Sequence, residues 1–352
     1  MIDKDDVRAA VAAGILDETQ GARLIALSDS RRGARDQLAP GDEPFELFKG
    51  FNEVFIVVGL IILAMGWTAV IGAMAGSAVR DLASFGTNMA AVSAAVLWLL
   101  SEYFIRRRRM VAPAITLTLF WAANAVTGSM AAFSEPFMIG QGDWTSMATP
   151  FALSTGIVLL QWWRFRVPIG LSVAVLGLFA ALATATLRPE TQPDTLREFF
   201  LLSGEGPIPW ITLGLGLGVF VLAMAFDMSD PHRVTRRAAN GFWLHILAAP
   251  AIVNTVALTL LSGNASYVLL VLFLALVAIV AIVIDRRSFL IAGVGYAVAM
   301  ATAISGAEGA AWTIFALGAA LVLTGAFWEV IRARLLRLLG PALPLDRLPP
   351  SG

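Results

Sequence analysis

In a chain this apolar, chemistry has to come from a few polar side chains, and the segment ANGFWLHILAAPAIVNTVALTL concentrates several of them. It carries His245, Pro250 and Asn254. Proline removes a backbone donor and frees a carbonyl, so a helix through this segment is expected to kink at Pro250. A histidine, a freed carbonyl and an asparagine could together line the path of a small polar solute. His245 and Asn254 fall on opposite faces of a regular helix, so a shared site requires the kink to rotate one half against the other. Separate hydrogen bonds to neighbouring helices are the alternative use of the same side chains. Asn124, in a mildly polar stripe with Thr116, Trp121 and Thr127, is the third candidate lining residue.

The acids point elsewhere. Glu53, Glu102, Asp227, Asp285 and Glu329 all fall at one end of apolar stretches. Asp285 adjoins Arg286 and Arg287, Glu102 stands one turn before Arg106, and Glu329 is near Arg332, so interfacial ion pairing is expected. No carboxylate falls at mid-membrane depth, which argues against an acid-based proton pump. The chain has no cysteine and two histidines, leaving neither disulfides nor thiolate metal ligands; no metal and no cofactor are expected. There is no HExxH, Walker or GxSxG pattern and no intramembrane aspartate pair, so an enzyme is not expected. Gly214-Leu-Gly216-Leu-Gly218 lies inside an apolar stretch and reads as helix packing through Gly214 and Gly218, not as a phosphate loop; Gly72 and Gly76 read the same way.

The elements that must hold these residues follow from composition. Of 352 residues, 58% are apolar and 14% charged, too little polar surface for a soluble domain of this size. Stretches long enough to cross a bilayer run over 54–74, 84–105, 111–133, 147–163, 168–187, 207–226, 237–261, 267–284, 288–304 and 309–331, of which the fourth and ninth are the weakest. With the N-terminus inside, all of the 25 basic residues except Arg80, Arg188 and Arg197 fall in inner segments. Trp144, Trp210 and Trp312 then lie near the outer boundary, and Trp162, Trp163, Trp243 and Trp328 near the inner one. The fold class is therefore all-α: a polytopic membrane helix bundle of about ten transmembrane helices (54–331) with both termini cytoplasmic. No cleavable signal peptide is evident, because the first apolar run begins near residue 54.

Outside the bilayer, 1–30 reads as a helical hairpin: Gly14 stops a first helix, and Asp17 with Gln20 opens a second as a capping box. A polar linker (31–44), an interfacial helix (45–53, with Phe45, Phe48 and Phe51 at helical spacing) and a cytoplasmic tail (332–352) complete the chain. The longest outer loop, 188–206, carries REFFLL, which could lie on the surface as a short amphipathic helix. It divides the spans five and five, the layout of many inverted-repeat transporters, although the halves share no convincing similarity.

VAAGILDETQGARLIAL, GFWLHILAAPAIV and VIDRRSFLIAGVGY resemble uncharacterised bacterial multi-pass inner-membrane proteins, families described only as domains of unknown function that open with a helical hairpin before their spans. The resemblance implies a bacterial inner (plasma) membrane setting and supplies no activity. Two functions remain open. One is a transporter or permease for a small neutral or weakly polar solute, lined by His245, Asn254 and Asn124. The other is a non-transporting scaffold or assembly factor that recruits a cytoplasmic protein partner through residues 1–30. A homo-oligomer fits either, and no nucleic-acid partner is expected from the balanced charge.

Overall fold

An α-helix satisfies its backbone polar groups internally, which is the demand a lipid environment makes on a chain this apolar. The computed structural model describes residues 4–31, 51–75, 81–134, 144–188, 195–202, 204, 206–262, 267–340, 344 and 347–349, and among the described residues there is no strand. In chain order the helices are α1 (Lys4–Ala12), α2 (Glu18–Arg31), α3 (Phe51–Ala75), α4 (Leu82–Ser101), α5 (Val111–Phe133), α6 (Ala148–Phe165) and α7 (Ile169–Thr186). They continue with α8 (Ile208–Met228), α9 (Arg236–Ser262), α10 (Tyr267–Ile284), α11 (Ser288–Ala326) and α12 (Trp328–Leu339). A π-helical turn, Glu102–Arg107, extends α4. The expected 31–44 linker and most of the 45–53 interfacial helix lie outside the described residues.

Seven helices are long and apolar enough to cross a membrane: α3, α4 with its π-helical extension, α5, and α7 to α10. The end of α11 and α12, bent by 80° at their junction, make an eighth if they form one span. Large apolar side chains cover the outside of these helices; Met65 on α3 is 68% exposed and Val322 on α11 is 71% exposed. Such surfaces are compatible with a multi-pass membrane protein, whose solvent there is hydrocarbon.

Three of the ten expected spans differ from the rest. The stretch 147–163 forms α6, whose 18 residues include Gln161 and Arg164 and are not apolar enough by composition to count as a span. The stretches 288–304 and 309–331 join in α11, a single helical segment of 39 residues. Straight, it would be about 58 Å long. Yet Trp328 Nε1, just beyond its end, donates to Asp285 Oδ1, just before its start, at 2.6 Å. The Arg287 guanidinium lies 5.1 Å from the Trp328 ring centre. The segment therefore doubles back between its ends.

The chain divides into two compact units. The first comprises Pro44–Asp194 and Gly206–Ile211. In it, Trp121, Ala122, Val158 and Ala174 form a buried cluster from α5, α6 and α7, with Trp98 of α4 packed against it. Helices α4 and α5 approach closely because Gly128 leaves room for Ala90 and Gly86 for Ala131. Glu53 of α3 is buried and accepts from the backbone N–H groups of Val111 (3.3 Å) and Ala112 (3.0 Å), which caps the first turn of α5 with a carboxylate. Glu102 accepts from Arg106 at 3.1 Å, as its spacing suggests, and pairs with Arg164 of α6 at 2.6 Å.

The second unit comprises Met1–Glu43, Thr195–Glu205 and Thr212–Gly352. Its N-terminal hairpin carries the expected capping box: Gln20 N–H donates to Asp17 Oδ1 at 2.6 Å, and Asp17 N–H to Gln20 Oε1 at 3.2 Å. Gly14, at φ +71°, supplies the left-handed stop. At the other end, LREF adopts a 3-10 turn (Leu196–Phe199), and the Leu202 N–H donates to Thr259 Oγ1 at 3.0 Å. The packing glycine of α8 is Gly216, whose added Cβ would lie 2.9 Å from the Ala251 Cβ of α9. Gly214 and Gly218 face open space, as does Gly72, contrary to the spacing-based expectation.

Candidate functional site

Helix α8 ends just after Asp227, and the chain turns through 229–235 to bring α9 back alongside. Side chains on a helix lean toward its N-terminus, so His245, about two and a half turns into α9, reaches back toward that turn. Its Nε2 lies 2.9 Å from Asp227 Oδ2. Arg286, from the turn between α10 and α11, grips both oxygens of the same carboxylate: Nε donates to Oδ2 at 3.0 Å and Nη2 to Oδ1 at 2.6 Å. The Ala238 carbonyl accepts a further bond from Nη2 at 3.3 Å.

All three side chains are buried, His245 completely. Carboxylate and guanidinium cancel each other's charge, and the fork-on-carboxylate geometry is the strong form of this pairing. Taking one member away would strand a buried charge, at a cost of about 3–5 kcal/mol. The backbone is shaped for the contact: a side chain at Gly241 would collide with Asp227 Oδ1.

Facing a carboxylate, Nε2 carries a proton and donates to it. The other ring nitrogen, Nδ1, is buried and has no hydrogen-bond partner among the described residues. Phe220 and Phe289 flank the imidazole at ring-centre distances of 5.7 and 5.8 Å. The arrangement is an Asp-oriented histidine with one unpartnered ring nitrogen in an aromatic recess.

A second ion pair lies next along the chain. Arg233 Nη1 meets Asp285 Oδ2 at 2.9 Å, and its Nη2 donates to the Asp285 carbonyl at 3.0 Å. Both residues are left-handed, at φ +54° and +57°, a conformation that costs a non-glycine residue roughly 1–2 kcal/mol. Such strain persists where surrounding contacts over-determine it, often at sites that switch.

The 229–235 turn is itself tied down by Asp230, which is fully buried and accepts from the N–H groups of Val234 (3.0 Å) and Thr235 (2.8 Å). The N-terminal hairpin sits on this turn. Arg8 Nε donates to the Val234 carbonyl at 3.1 Å, Thr19 Oγ1 lies 3.3 Å from His232 Nε2, and Gly21 leaves room for Val234. Polar contacts thus run unbroken from α1 and α2 through the turn, while Arg233, Asp227, His245, Arg286 and Trp328 join α8, α9 and the ends of α10 to α12.

Of the three candidate lining residues, only His245 belongs to this network. Asn254 lies further along α9, half-buried, and Pro250 sits within α9, which continues through it. Asn124 belongs to the other unit, where its Nδ2 donates to the Ala90 carbonyl at 3.0 Å. Asp227, Arg286 and Arg233 are the members that sequence reasoning did not assemble. Asp285 and Arg286, adjacent in sequence, have different partners. Among the described residues no group of three or more His, Cys, Asp or Glu could hold a metal ion.

Fold and site together describe an all-α protein with several helices fit to cross a membrane and a buried ionic network at one end of its second unit. No protein-family model, curated protein or solved structure matches the chain.

Proposed function

We propose that this is a ten-pass protein of a bacterial inner membrane with both termini cytoplasmic, and that it is a permease-like carrier of a small neutral or weakly polar solute, without a catalytic step. The observation that carries the reading is the Asp227–His245–Arg286 network. It pairs a carboxylate with a guanidinium, is buried, leaves one ring nitrogen of His245 without a partner among the described residues, and joins three elements at their ends. A latch of this kind can open and close without moving net charge into hydrocarbon.

The pass count has independent support from parity. Arg164 pairs with Glu102, so the ends of α4 and α6 share a face, and both α5 and α6 have to cross between them. The hairpin contacts 232–234, so an even number of crossings separates them; α3 to α8 supply six only if α6 is one. The two arms of α11 return Trp328 to the face of Asp285. The positive-inside distribution makes that face cytoplasmic.

Proteoliposomes loaded in turn with acetamide, urea and glycerol test the function through stopped-flow osmotic recovery. Wild-type protein should accelerate recovery for at least one solute, and Arg286→Ala should change that rate at least severalfold. Recovery no faster than in empty liposomes for every solute, in both proteins, would remove the carrier reading. Recruitment of a cytoplasmic protein through residues 1–30 is the alternative, favoured by Ile15 and Leu27, which stay exposed on the docked hairpin.

A further inference from the structure

The first unit holds a second set of buried polar groups that the network does not use. Gln161 of α6 is 1% exposed, and neither its Nε2 nor its Oε1 has a hydrogen-bond partner among the described residues. Ser101, at the end of α4, and Ser172, in the first turn of α7, are buried with equally unpartnered hydroxyls. In the same unit Thr116, Thr118, Ser154, Thr155 and Thr184 all turn their hydroxyls back onto carbonyls of their own helices. Ser101 and Ser172 do not. An amide and two hydroxyls left without partners in an apolar interior are costly, and buried groups of this kind are normally met by something.

The three belong to one level of the unit. Phe165, one turn after Gln161, packs on Trp98 at a ring-centre distance of 5.0 Å, and Ser101 lies one turn after Trp98. The Glu102–Arg164 ion pair binds the same two helix ends. A Cβ added at Gly170 would lie 3.3 Å from Trp162, and one at Gly177 would meet Thr155, so Gln161 and Ser172 both fall at the level between these two α6–α7 contacts. Two further features mark the place. The π-helical turn Glu102–Arg107 begins directly after Ser101, and π-turns inside helices recur at functional sites. About one turn from Gln161 and Ser172, a cavity of about 220 Å³ lies between α5, α6 and α7, lined by Ala122, Phe151, Val158, Val173, Leu176 and Gly177.

We propose that this layer binds a small uncharged amphiphile of the primary-amide class, its amide paired with Gln161 and its apolar body in the cavity. A primary amide matches the vacancy: its carbonyl accepts from Gln161 Nε2 while its N–H donates to Gln161 Oε1, a closed pair of hydrogen bonds. Ser101 and Ser172 take the remaining donor and acceptor. The charges nearest the layer, Glu102 and Arg164, are already paired with each other and offer a charged ligand no open counter-ion, and a hydrocarbon would leave Gln161 unmet. The proposal concerns binding and holds whether or not the molecule crosses the membrane.

Equilibrium dialysis of radiolabelled butanamide against the full chain in nanodiscs, with empty nanodiscs as background, is the test. Saturable binding at one molecule per chain is expected, weakened by about tenfold in Gln161→Leu and by the Ser101→Ala/Ser172→Ala pair. N,N-dimethylbutanamide, which cannot donate, should compete poorly. Gln161→Leu removes two unmet polar atoms without changing volume much, so without ligand it should melt no lower than wild type. If it fails to fold, the double serine variant carries the comparison. Absence of saturable binding, undiminished binding in the variants, or equal competition by the dimethyl amide overturns the proposal.

Discussion

Gly241 shows how one residue can govern a network without donating or accepting a bond of its own. A methyl group there would meet Asp227 Oδ1, so Gly241→Ala has to push the carboxylate off Arg286 and His245. A loss of about 3 kcal/mol is expected, read as a lowered melting temperature by intrinsic tryptophan fluorescence. Gly214, one helix away and facing open space, is the control: Gly214→Ala should gain about 0.5–1 kcal/mol from helix propensity alone. Equal effects would mean that the contact is not what holds Asp227. The sequence made the acids at the helix ends visible and gave Glu102 its partner Arg106, but not Asp227 and Asp285 theirs. Asp285 and Arg286 are successive residues, and side chains at i and i+1 point in different directions. One therefore meets Arg233 and the other Asp227. Which distant side chain each would meet depends on how α8, α9 and α10 pack, and no local spacing encodes that.

Helix α6 is the element where composition and geometry pull apart. Gln161, Arg164 and its serines and threonines lower its apolarity, whereas the proposed topology, supported by the Glu102–Arg164 pair, has it cross. Its polar residues have local destinations: Ser154 and Thr155 bond the Phe151 carbonyl, and Arg164 has its acid. Because the chain lacks cysteine, Trp144→Cys and Arg166→Cys can be probed singly with a membrane-impermeant thiol reagent. Trp144→Cys should label from the periplasmic side of intact spheroplasts, and Arg166→Cys only in inverted vesicles. Labelling of both from one side would remove α6 as a span. The hairpin of α1 and α2 was fully readable as a local structure, since its glycine stop and capping box are made within a few residues. Its docking place, residues 232–234, was not, because a surface more than two hundred residues away leaves no mark on local pattern.

For the whole molecule the apolar periods were enough to locate nearly every long helix, since each has to be long and apolar in its own right to be stable in lipid. The doubling back of α11 is legible only through Trp328 and Asp285, whose contact is tertiary. Fusions of alkaline phosphatase and of green fluorescent protein to each terminus test the ten-pass topology. Both ends should give fluorescence and no phosphatase activity. A phosphatase signal at the C-terminus alone would mean an odd number of crossings and would separate Trp328 from the face of Asp285. Two of the boundaries between the units, at Asp194/Thr195 and Glu205/Gly206, fall within the 188–206 region, where the ten proposed spans would split five and five.

The docked hairpin also has a consequence in time. It leaves the ribosome well ahead of the turn it docks on, and the carbonyl that receives Arg8 follows 226 residues later. At ordinary elongation rates that is a wait of about ten to forty-five seconds. Through it, Val7 and Ala22, buried once docked, have no turn to rest on. In the proposed topology each helix from α3 to α8 has to insert in its proper orientation before the turn emerges on the hairpin's side of the bilayer. A missed crossing would put turn and hairpin in different compartments and leave the hairpin undocked. A segment made before its docking place thereby settles only after it, and its uncovered face would expose a wrongly threaded chain to proteolysis.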